Sequence, residues 1–195
     1  AASDVYKRQV CALAGYDTDV VDIKQEAVDK ASEQLHSRMD RDVSKGRRTQ
    51  QDVDAAFERL TFSTDRDACA AQADFVIEAA VEDLTIKRQV FAELDAVCPE
   101  HTILATNSSN IVSSRVADAT NRPEKVCNVH FFNPALVMKC VEVVPHQGTS
   151  RETVETAMEL ARSIGKAPVE LKKEVPGFVA NRLLGALRSE ALKLY

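Results

Sequence analysis

The sequence lacks the features that mark membrane-spanning, secreted and nucleic-acid-wrapping proteins. No apolar run approaches the roughly 18 residues that a membrane-spanning helix requires. Residues 1–20 contain no basic segment followed by an uninterrupted apolar core, which a signal peptide would have. The formal net charge is −5, which argues against a partner as acidic as a nucleic acid. We therefore expect a small-molecule partner, with no membrane and no nucleic acid.

Paired cysteines are also lacking. The five cysteines are odd in number and scattered, with no C-x-x-C pair, at Cys11, Cys69, Cys98, Cys127 and Cys140. This spacing favours reduced, mostly buried thiols in a cytoplasmic compartment over disulfides or a zinc site. No metal is therefore predicted. No cysteine lies beside a candidate base in the sequence, so we do not expect a catalytic thiol.

The length of the chain and the break at Pro176-Gly177 predict one domain and part of another. The chain has 195 residues, of which 45% are hydrophobic and 28% charged, as in ordinary globular proteins. Residues 1–8 form neither a clear strand nor a helix cap, and we predict that they are a non-native segment. Residues 9–175 are predicted to form the first domain. After Pro176-Gly177, residues 176–195 read as the first helix of an all-α domain, with an apolar face that needs a partner.

Helical and strand patterns alternate along residues 9–175. Apolar residues recur at helical spacing over residues 25–39 and 84–97, and short apolar runs at 19–23, 74–79 and 101–105 are typical of buried strands. A helix is predicted over residues 111–119. This alternation predicts an α/β fold with a Rossmann-type, doubly wound and mostly parallel sheet.

Residues 9–23 are typical of the second half of a dinucleotide-binding βαβ unit: the end of a helix, Gly15, a strand and a terminal acid. In such a unit Asp22 would bind the ribose diol of NAD and repel the 2′-phosphate of NADP. The alternative is that Asp22 only caps the next helix. The first strand and the G-x-G-x-x-G loop are missing from the sequence, since only eight residues precede Gln9 and none is glycine.

The most informative segment is residues 126–145, VCNVHFFNPALVMKCVEVVP. It is predicted to form two strands, with His130 on the first and Glu142 on the second, after a break at Asn133-Pro134. If the strands fold back on each other, Glu142 holds one imidazole nitrogen and leaves the other free for a substrate proton. The alternative is a capped strand-end histidine and a solvated edge glutamate.

Polar residues follow two other predicted strands, where ligands bind in doubly wound folds. Residues 106–110, TNSSN, contain more small polar side chains than a helix cap needs. Glu82 and Lys87 follow the strand at 74–79, although they also fit a helix N-terminal acid and a surface lysine. Lys45 lies in the basic turn SKGRR. This turn would bind the phosphates of a substrate; the alternative is a solvated surface turn.

The chain resembles the 3-hydroxyacyl-CoA dehydrogenase family from about Gln9 to Tyr195. The resemblance rests on ordered motifs: VCALAGYDTDVVDI, DFVIEAAVEDLTIK, TNSSNI, HFFNP followed by M-K-x-V-E, GKAPV, and PGFVANRLL. The combination of HFFNP, the distal V-E and PGF-x-x-NR is specific. The resemblance implies an NAD-dependent enzyme that oxidises the 3-hydroxyl of an acyl-CoA, and a homodimer formed through the helical domain.

The resemblance also implies roles for individual residues. His130 would be the general base and Glu142 its orienting carboxylate. Ser109 would hydrogen-bond the reacting oxygen, and the Asn181 amide would help to place the substrate. Lys45 matches a CoA-contacting lysine. The positions that match NAD contacts are Asp22, Glu82, Lys87, Ser109 and Asn133.

Two other functions are compatible with a Rossmann scaffold. One is a non-catalytic relative that binds a cofactor or has a structural role, because fold does not fix function. The other is a β-hydroxyacid dehydrogenase that uses a lysine base. The set Ser109, His130, Glu142 and Asn181 distinguishes them, since a non-catalytic relative has little reason to keep all four. A lysine-dependent enzyme should lack HFFNP and the distal V-E.

Overall fold

A computed structural model describes residues 4–135 and 137–194, with side chains from Gln9 onward. The described residues contain a short 3-10 turn at Pro123–Lys125 and α-helices at α1 (Asp4–Leu13), α2 (Gln25–Ser44), α3 (Gln50–Phe57), α4 (Arg66–Ala70), α5 (Leu84–Val97), α6 (Ser114–Ala117), α7 (Arg151–Ser163) and α8 (Ala180–Leu192). The strands are β1 (Thr18–Val21), β2 (Leu60–Ser63), β3 (Phe75–Glu78), β4 (Ile103–Thr106), β5 (Val126–Phe131), β6 (Cys140–Pro145) and β7 (Ala167–Glu170).

The strands form two sheets, β1-β2 and β3-β4-β5-β6-β7. All pairs are parallel except β5 with β6, which is antiparallel. In the doubly wound order 3-2-1-4-5-6, β2 and β1 supply positions 3 and 2, and β3, β4 and β5 supply positions 4, 5 and 6. Position 1 is unfilled in the described residues, which agrees with the predicted missing strand. The predicted Rossmann-type fold is confirmed.

Helices cover both faces of the five-stranded sheet because its strands bury both sets of alternating side chains. Ile103 and Ala105 of β4 pack in a cluster with α7, whereas Leu104 packs in a second cluster with Phe91 of α5. On α7 the residues Val154, Ala157 and Ala161 recur at helical spacing and are all buried. This two-sided burial explains why the strands read as continuous apolar runs.

Most predicted elements are confirmed, with two differences near the ends of segments. Residues 4–8 belong to α1, although they had no recognisable helix signal; their being non-native stays a prediction. The predicted helix over residues 111–119 is reduced to α6. The amide of Ile111 binds the Ser108 hydroxyl and its carbonyl accepts from Asn128, so these groups are not available for helical hydrogen bonds.

A buried ion pair fixes the end of α5 to the loop before β5. Arg122 Nε lies 2.7 Å from Asp95 Oδ1, and the Arg122 guanidinium also binds the carbonyls of Asp95, Cys98 and Pro99. Burial raises the pKa of Asp95, but hydrogen bonds from the Asn121 amide groups and from Arg122 outweigh it, so the pKa lies below its usual value. The carboxylate therefore stabilises the fold as the ionised form.

None of the helices in the described ranges is long and apolar enough to span a membrane.

We expect Asp95→Asn to destabilise the protein by about 1–3 kcal/mol at about pH 7, because the partly buried Arg122 loses its charged partner. The native pKa is below the unfolded value of about 3.9. The contribution is therefore complete above that pH and is lost as the pH falls through the native pKa. Urea unfolding at about pH 7 and about pH 3 measures this difference.

The control for this substitution is Asp74→Asn, whose side chain is 91% exposed and which should change the unfolding free energy by less than about 0.5 kcal/mol. Equal stability of Asp95→Asn and the unmodified protein at neutral pH would contradict the role given to the ion pair.

Candidate active site

The antiparallel pairing of β5 with β6 places His130 directly opposite Glu142. Residues opposite each other in a sheet point to the same face, so the two side chains meet, with His130 Nδ1 2.9 Å from Glu142 Oε2. Both are buried, at 4% and 3% exposure. The predicted pairing is confirmed, and the alternative of a solvated edge glutamate is wrong.

The second imidazole nitrogen faces a hydroxyl. Ser109 Oγ lies 2.9 Å from His130 Nε2, and Ser109 is half-buried. An ionised Glu142 carboxylate can only accept, so we assign the imidazole proton to Nδ1, and Nε2 of a neutral ring then accepts from the Ser109 hydroxyl. A hydrogen-bond donor and a proton acceptor thus lie side by side, as the oxidation of an alcohol requires.

The turn that carries Ser109 is fixed to the strand that carries His130. The side chain of Asn128, which is fully buried in β5, donates to the carbonyls of Ser108 (3.3 Å) and Ile111 (3.1 Å) and accepts from the Ser113 amide (2.6 Å). One amide side chain therefore satisfies three backbone groups of the turn. The polar side chains of the run have separate partners, such as the Phe131 amide for Asn107 and His130 for Ser109, so only part of the run serves as a cap.

Glu142 is shared between the histidine and the start of α8. While Oε2 binds His130, Oε1 accepts hydrogen bonds from the amides of Val179 and Ala180, each at 3.1 Å. The N-cap residue of α8, Val179, makes no side-chain cap of its own. A carboxylate from β6 therefore takes the place of the missing cap and lies at the positive end of the helix dipole.

Two aromatic rings enclose the imidazole of His130. Phe132 packs edge-on with a centroid distance of 4.9 Å, and Phe178 lies tilted at 5.3 Å. Phe178 is fully buried. The rings restrict the rotation of the imidazole, so that its two nitrogens keep their separate partners.

Glu82 binds the turn at residues 108–111, which carries Ser109. Its carboxylate accepts hydrogen bonds from the Ser108 hydroxyl and from the amides of Asn110 (3.1 Å) and Ile111 (3.4 Å). The side chain is 42% exposed, so it remains accessible to a ligand at the ends of β3 and β4. Its predicted contact with NAD stays a prediction.

Lys87 is not the surface lysine of the alternative interpretation. It is 1% exposed, and its ammonium group binds Glu78 Oε1 at 2.7 Å, Glu78 Oε2 at 2.9 Å and the Ala80 carbonyl at 3.2 Å. Because these bonds use all three ammonium donors, the structure gives Lys87 a supporting role beneath the loop after β3. A direct contact with NAD stays a prediction.

Glu78 is a buried supporting residue of the site that the sequence did not single out. It is buried at the end of β3 and also accepts a hydrogen bond from the Thr106 hydroxyl at 2.7 Å. The available signal was an acid at the end of an apolar strand followed by a lysine on the next helix. A buried carboxylate in that position needs a positive partner.

Within the described ranges, the remaining predicted residues make no hydrogen bond to His130, Glu142 or Ser109. Asp22 is half-buried just after β1, where it accepts from the Lys24 amide at 3.2 Å. Asn133 is exposed just after β5, and Lys45 is exposed just after α2. Asn181 is also exposed, but it lies in the first turn of α8, next to the Ala180 amide that binds Glu142. Their roles stay predictions.

Residues 7–175 match the family model described as the NAD binding domain of 3-hydroxyacyl-CoA dehydrogenase. The chain belongs to the 3-hydroxyacyl-CoA dehydrogenase family. NAD is therefore the cofactor that the family assigns to this domain.

Other members of the family cover nearly all of the chain. A protein of Bacillus subtilis (strain 168) named probable 3-hydroxybutyryl-CoA dehydrogenase is 40% identical over 184 residues, which are 94% of this chain and 63% of the relative. A 3-hydroxybutyryl-CoA dehydrogenase of Clostridioides difficile is 40% identical over 187 residues, which are 96% of this chain and 66% of the relative. The chain thus spans less than two thirds of the length of these relatives.

Solved structures of the family share the fold. The crystal structure of 3-hydroxybutyryl-CoA dehydrogenase from Escherichia coli K12 superimposes with a TM-score of 0.95 and 40% identity, over 99% of this chain and 40% of that one. The structure of PaaH1 from Ralstonia eutropha, an (S)-3-hydroxybutyryl-CoA dehydrogenase, gives a TM-score of 0.91 and 35% identity. The match covers 96% of this chain and 65% of that one.

The thiols of this family member are not suited to catalysis. Burial raises the pKa of the Cys127 thiol to about 12. Burial also raises the pKa of Cys11, to about 11, against the opposing charge of Lys166. Because the thiolate is the nucleophilic form, the raised pKa disfavours that form of both groups near neutral pH.

We expect Cys127 in the folded protein to resist iodoacetamide at about pH 8, while the half-buried Cys69 and Cys140 react first. Alkylation followed by mass spectrometry measures the order, and unfolding in urea should make all sites reactive. Rapid modification of native Cys127 would contradict its burial as a protonated thiol.

Proposed function

We propose that the protein is an NAD-dependent 3-hydroxyacyl-CoA dehydrogenase, which converts a 3-hydroxyacyl-CoA and NAD+ into the 3-oxoacyl-CoA, NADH and a proton. The observation that carries this proposal is the hydrogen-bonded series from Glu142 through His130 to Ser109. It supplies a base and a donor for one oxygen atom. A non-catalytic relative would have no use for it.

The proposed reaction divides the work between cofactor and protein. Oxidation of a secondary alcohol removes a hydride from carbon and a proton from oxygen. NAD, when bound, supplies the hydride acceptor. His130 Nε2 takes the hydroxyl proton, and the resulting imidazolium is held by Glu142. In the reverse direction the imidazolium returns the proton to the ketone oxygen. Ser109 and His130 together stabilise negative charge on that oxygen, in the manner of an oxyanion hole.

The residues present suit NAD at the carboxyl ends of the strands. The Asp22 carboxylate, half-buried directly after β1, is of the type and in the position that bind a ribose diol. Glu82, Ser109 and Asn133 follow β3, β4 and β5, so they lie where a doubly wound fold binds its ligand. Lys87 would contribute by supporting the loop that carries Glu82.

The substrate and assembly proposals rest on the positions of Lys45, Asn181 and the exposed face of α8. Lys45, exposed in the basic turn after α2, would contact the phosphates of CoA, and Asn181 would place the acyl part. We also propose a cytoplasmic homodimer formed through the helical part that begins with α8. The exposed leucines of that helix, Leu183, Leu184 and Leu187, are 63%, 52% and 71% exposed, which suits a helix that packs against further structure.

In full-length protein, His130→Gln should lower the turnover of NADH oxidation with acetoacetyl-CoA by about 10²–10⁴-fold, as expected for loss of a general base. The matched control is His101→Gln, since His101 has a 62% exposed side chain and pairs with Asp74 at the surface. The control should keep nearly full activity. Near-normal turnover of His130→Gln would refute the role proposed for His130.

Asp22→Ala should weaken NADH binding by about 10–100-fold, the equivalent of one charge-assisted hydrogen bond worth about 1.5–3 kcal/mol. It should also narrow the preference for NADH over NADPH, because the carboxylate no longer repels the 2′-phosphate. KM values for both cofactors measure the change, with Asp29→Ala on the exposed side of α2 as the control. An unchanged ratio of the two KM values would argue against Asp22 as the ribose ligand.

A further inference from the structure

The four residues Gly177–Ala180, which lead into α8 and are called here the entry turn, contact Ser109, His130 and Glu142 of the proposed catalytic set. The Gly177 amide donates to the carbonyl of Ser109 at 2.9 Å. The Phe178 ring lies 5.3 Å from the imidazole of His130. The amides of Val179 and Ala180 bind Glu142 Oε1.

The backbone of the entry turn takes an unusual path to make these contacts. Gly177 has φ 79° and Phe178 has φ 47°, so two consecutive residues are left-handed. Among the described non-glycine residues, Phe178 is the one with a positive φ. Such a conformation is unfavourable for a bulky L-residue and persists only where the surroundings fix it. Strained residues of this kind concentrate at functional sites.

The side chain of Phe178 is held firmly enough to fix that path. It is fully buried and packs in a cluster with Val144 of β6, Leu171 and Val112. This cluster lies on the same face of the sheet as His130 and Glu142, since Val144 and Glu142 are two residues apart on β6. The ring is therefore anchored on one side and borders the imidazole on the other.

We infer that the entry turn is a positioning element of the active site, with Phe178 as a positioning residue for His130. The turn sets the place of the Ser109 carbonyl, the plane of the imidazole and the direction of the Glu142 carboxylate at the same time. It does not touch the reacting atoms. This inference rests on the proposed function, because it specifies how the relative positions of the base His130 and the carboxylate Glu142 are fixed.

A consequence is that α8 and the active site are coupled. The Glu142 carboxylate caps α8 with one oxygen and holds His130 with the other, so a shift of the helix start changes the hydrogen bond to the imidazole. The geometry of the base thereby depends on residues that lie beyond the Rossmann-type domain in sequence.

The test substitution is Phe178→Leu in full-length protein, with Phe91→Leu as the matched control. Both phenylalanines are fully buried, but Phe91 belongs to the cluster between α5 and the sheet and does not contact His130. Leucine keeps an apolar side chain at position 178 and removes the ring. Phe178→Met, whose flexible side chain can adapt to the space left by the ring, serves if the leucine variant does not fold.

We expect Phe178→Leu to lower kcat for NADH oxidation with acetoacetyl-CoA by about 10–100-fold, the range that a small misplacement of a catalytic group produces. Both KM values should change by less than about twofold, because only the placement of the base is affected. In NMR spectra the downfield Nδ1–H resonance of His130 should broaden or disappear. The Phe91→Leu control should keep both kcat and the resonance.

Equal losses of kcat in the two variants, with the His130 resonance intact in both, would overturn the inference and leave Phe178 as a packing residue. The NMR comparison needs no turnover. It therefore remains decisive even if His130→Gln proves active, so a failure of the proposed reaction and a failure of the entry turn are distinguishable.

Discussion

The arrangement of the site depends on one carboxylate that has two partners. Glu142 sits in the middle of a buried strand, where an ionised group is costly unless each oxygen is satisfied. One oxygen binds the imidazole of His130 and the other binds two amides at the start of α8. A buried carboxylate needs a hydrogen-bond partner for each oxygen. Meeting that need at Glu142 fixes both the tautomer of His130 and the position of the first turn of α8.

The antiparallel pair β5–β6 makes this arrangement possible within an otherwise parallel sheet. Parallel neighbours need a long crossover, whereas the segment between His130 and Glu142 returns directly. The two residues lie opposite each other in the register, and their strand positions face the side of the sheet that α6 and the entry turn cover. Asn128, two residues before His130, fixes the turn that holds Ser109 to the same strand.

Much of the fold could be read from the sequence because the strands and helices follow simple apolar patterns. The His130–Glu142 pair was also predictable, since each lies in a β-branched run and the break at Asn133-Pro134 suggests a return. The roles of Gly177 and Phe178 were not, because PGF reads only as a boundary and its amides act through tertiary contacts. The burial of Lys87 was weakly signalled, because its partner Glu78 lies on a different element and only the acid at the end of β3 indicates the need for a positive partner.

The central claim is that His130 and Ser109 meet the same substrate oxygen. A crystal structure of full-length protein with NAD and acetoacetyl-CoA tests it most directly. We expect the C3 ketone oxygen to lie within about 3.2 Å of both His130 Nε2 and Ser109 Oγ, with Glu142 still bound to Nδ1. A ketone oxygen bound to another donor, with the His130 ring turned away from it, would contradict the account.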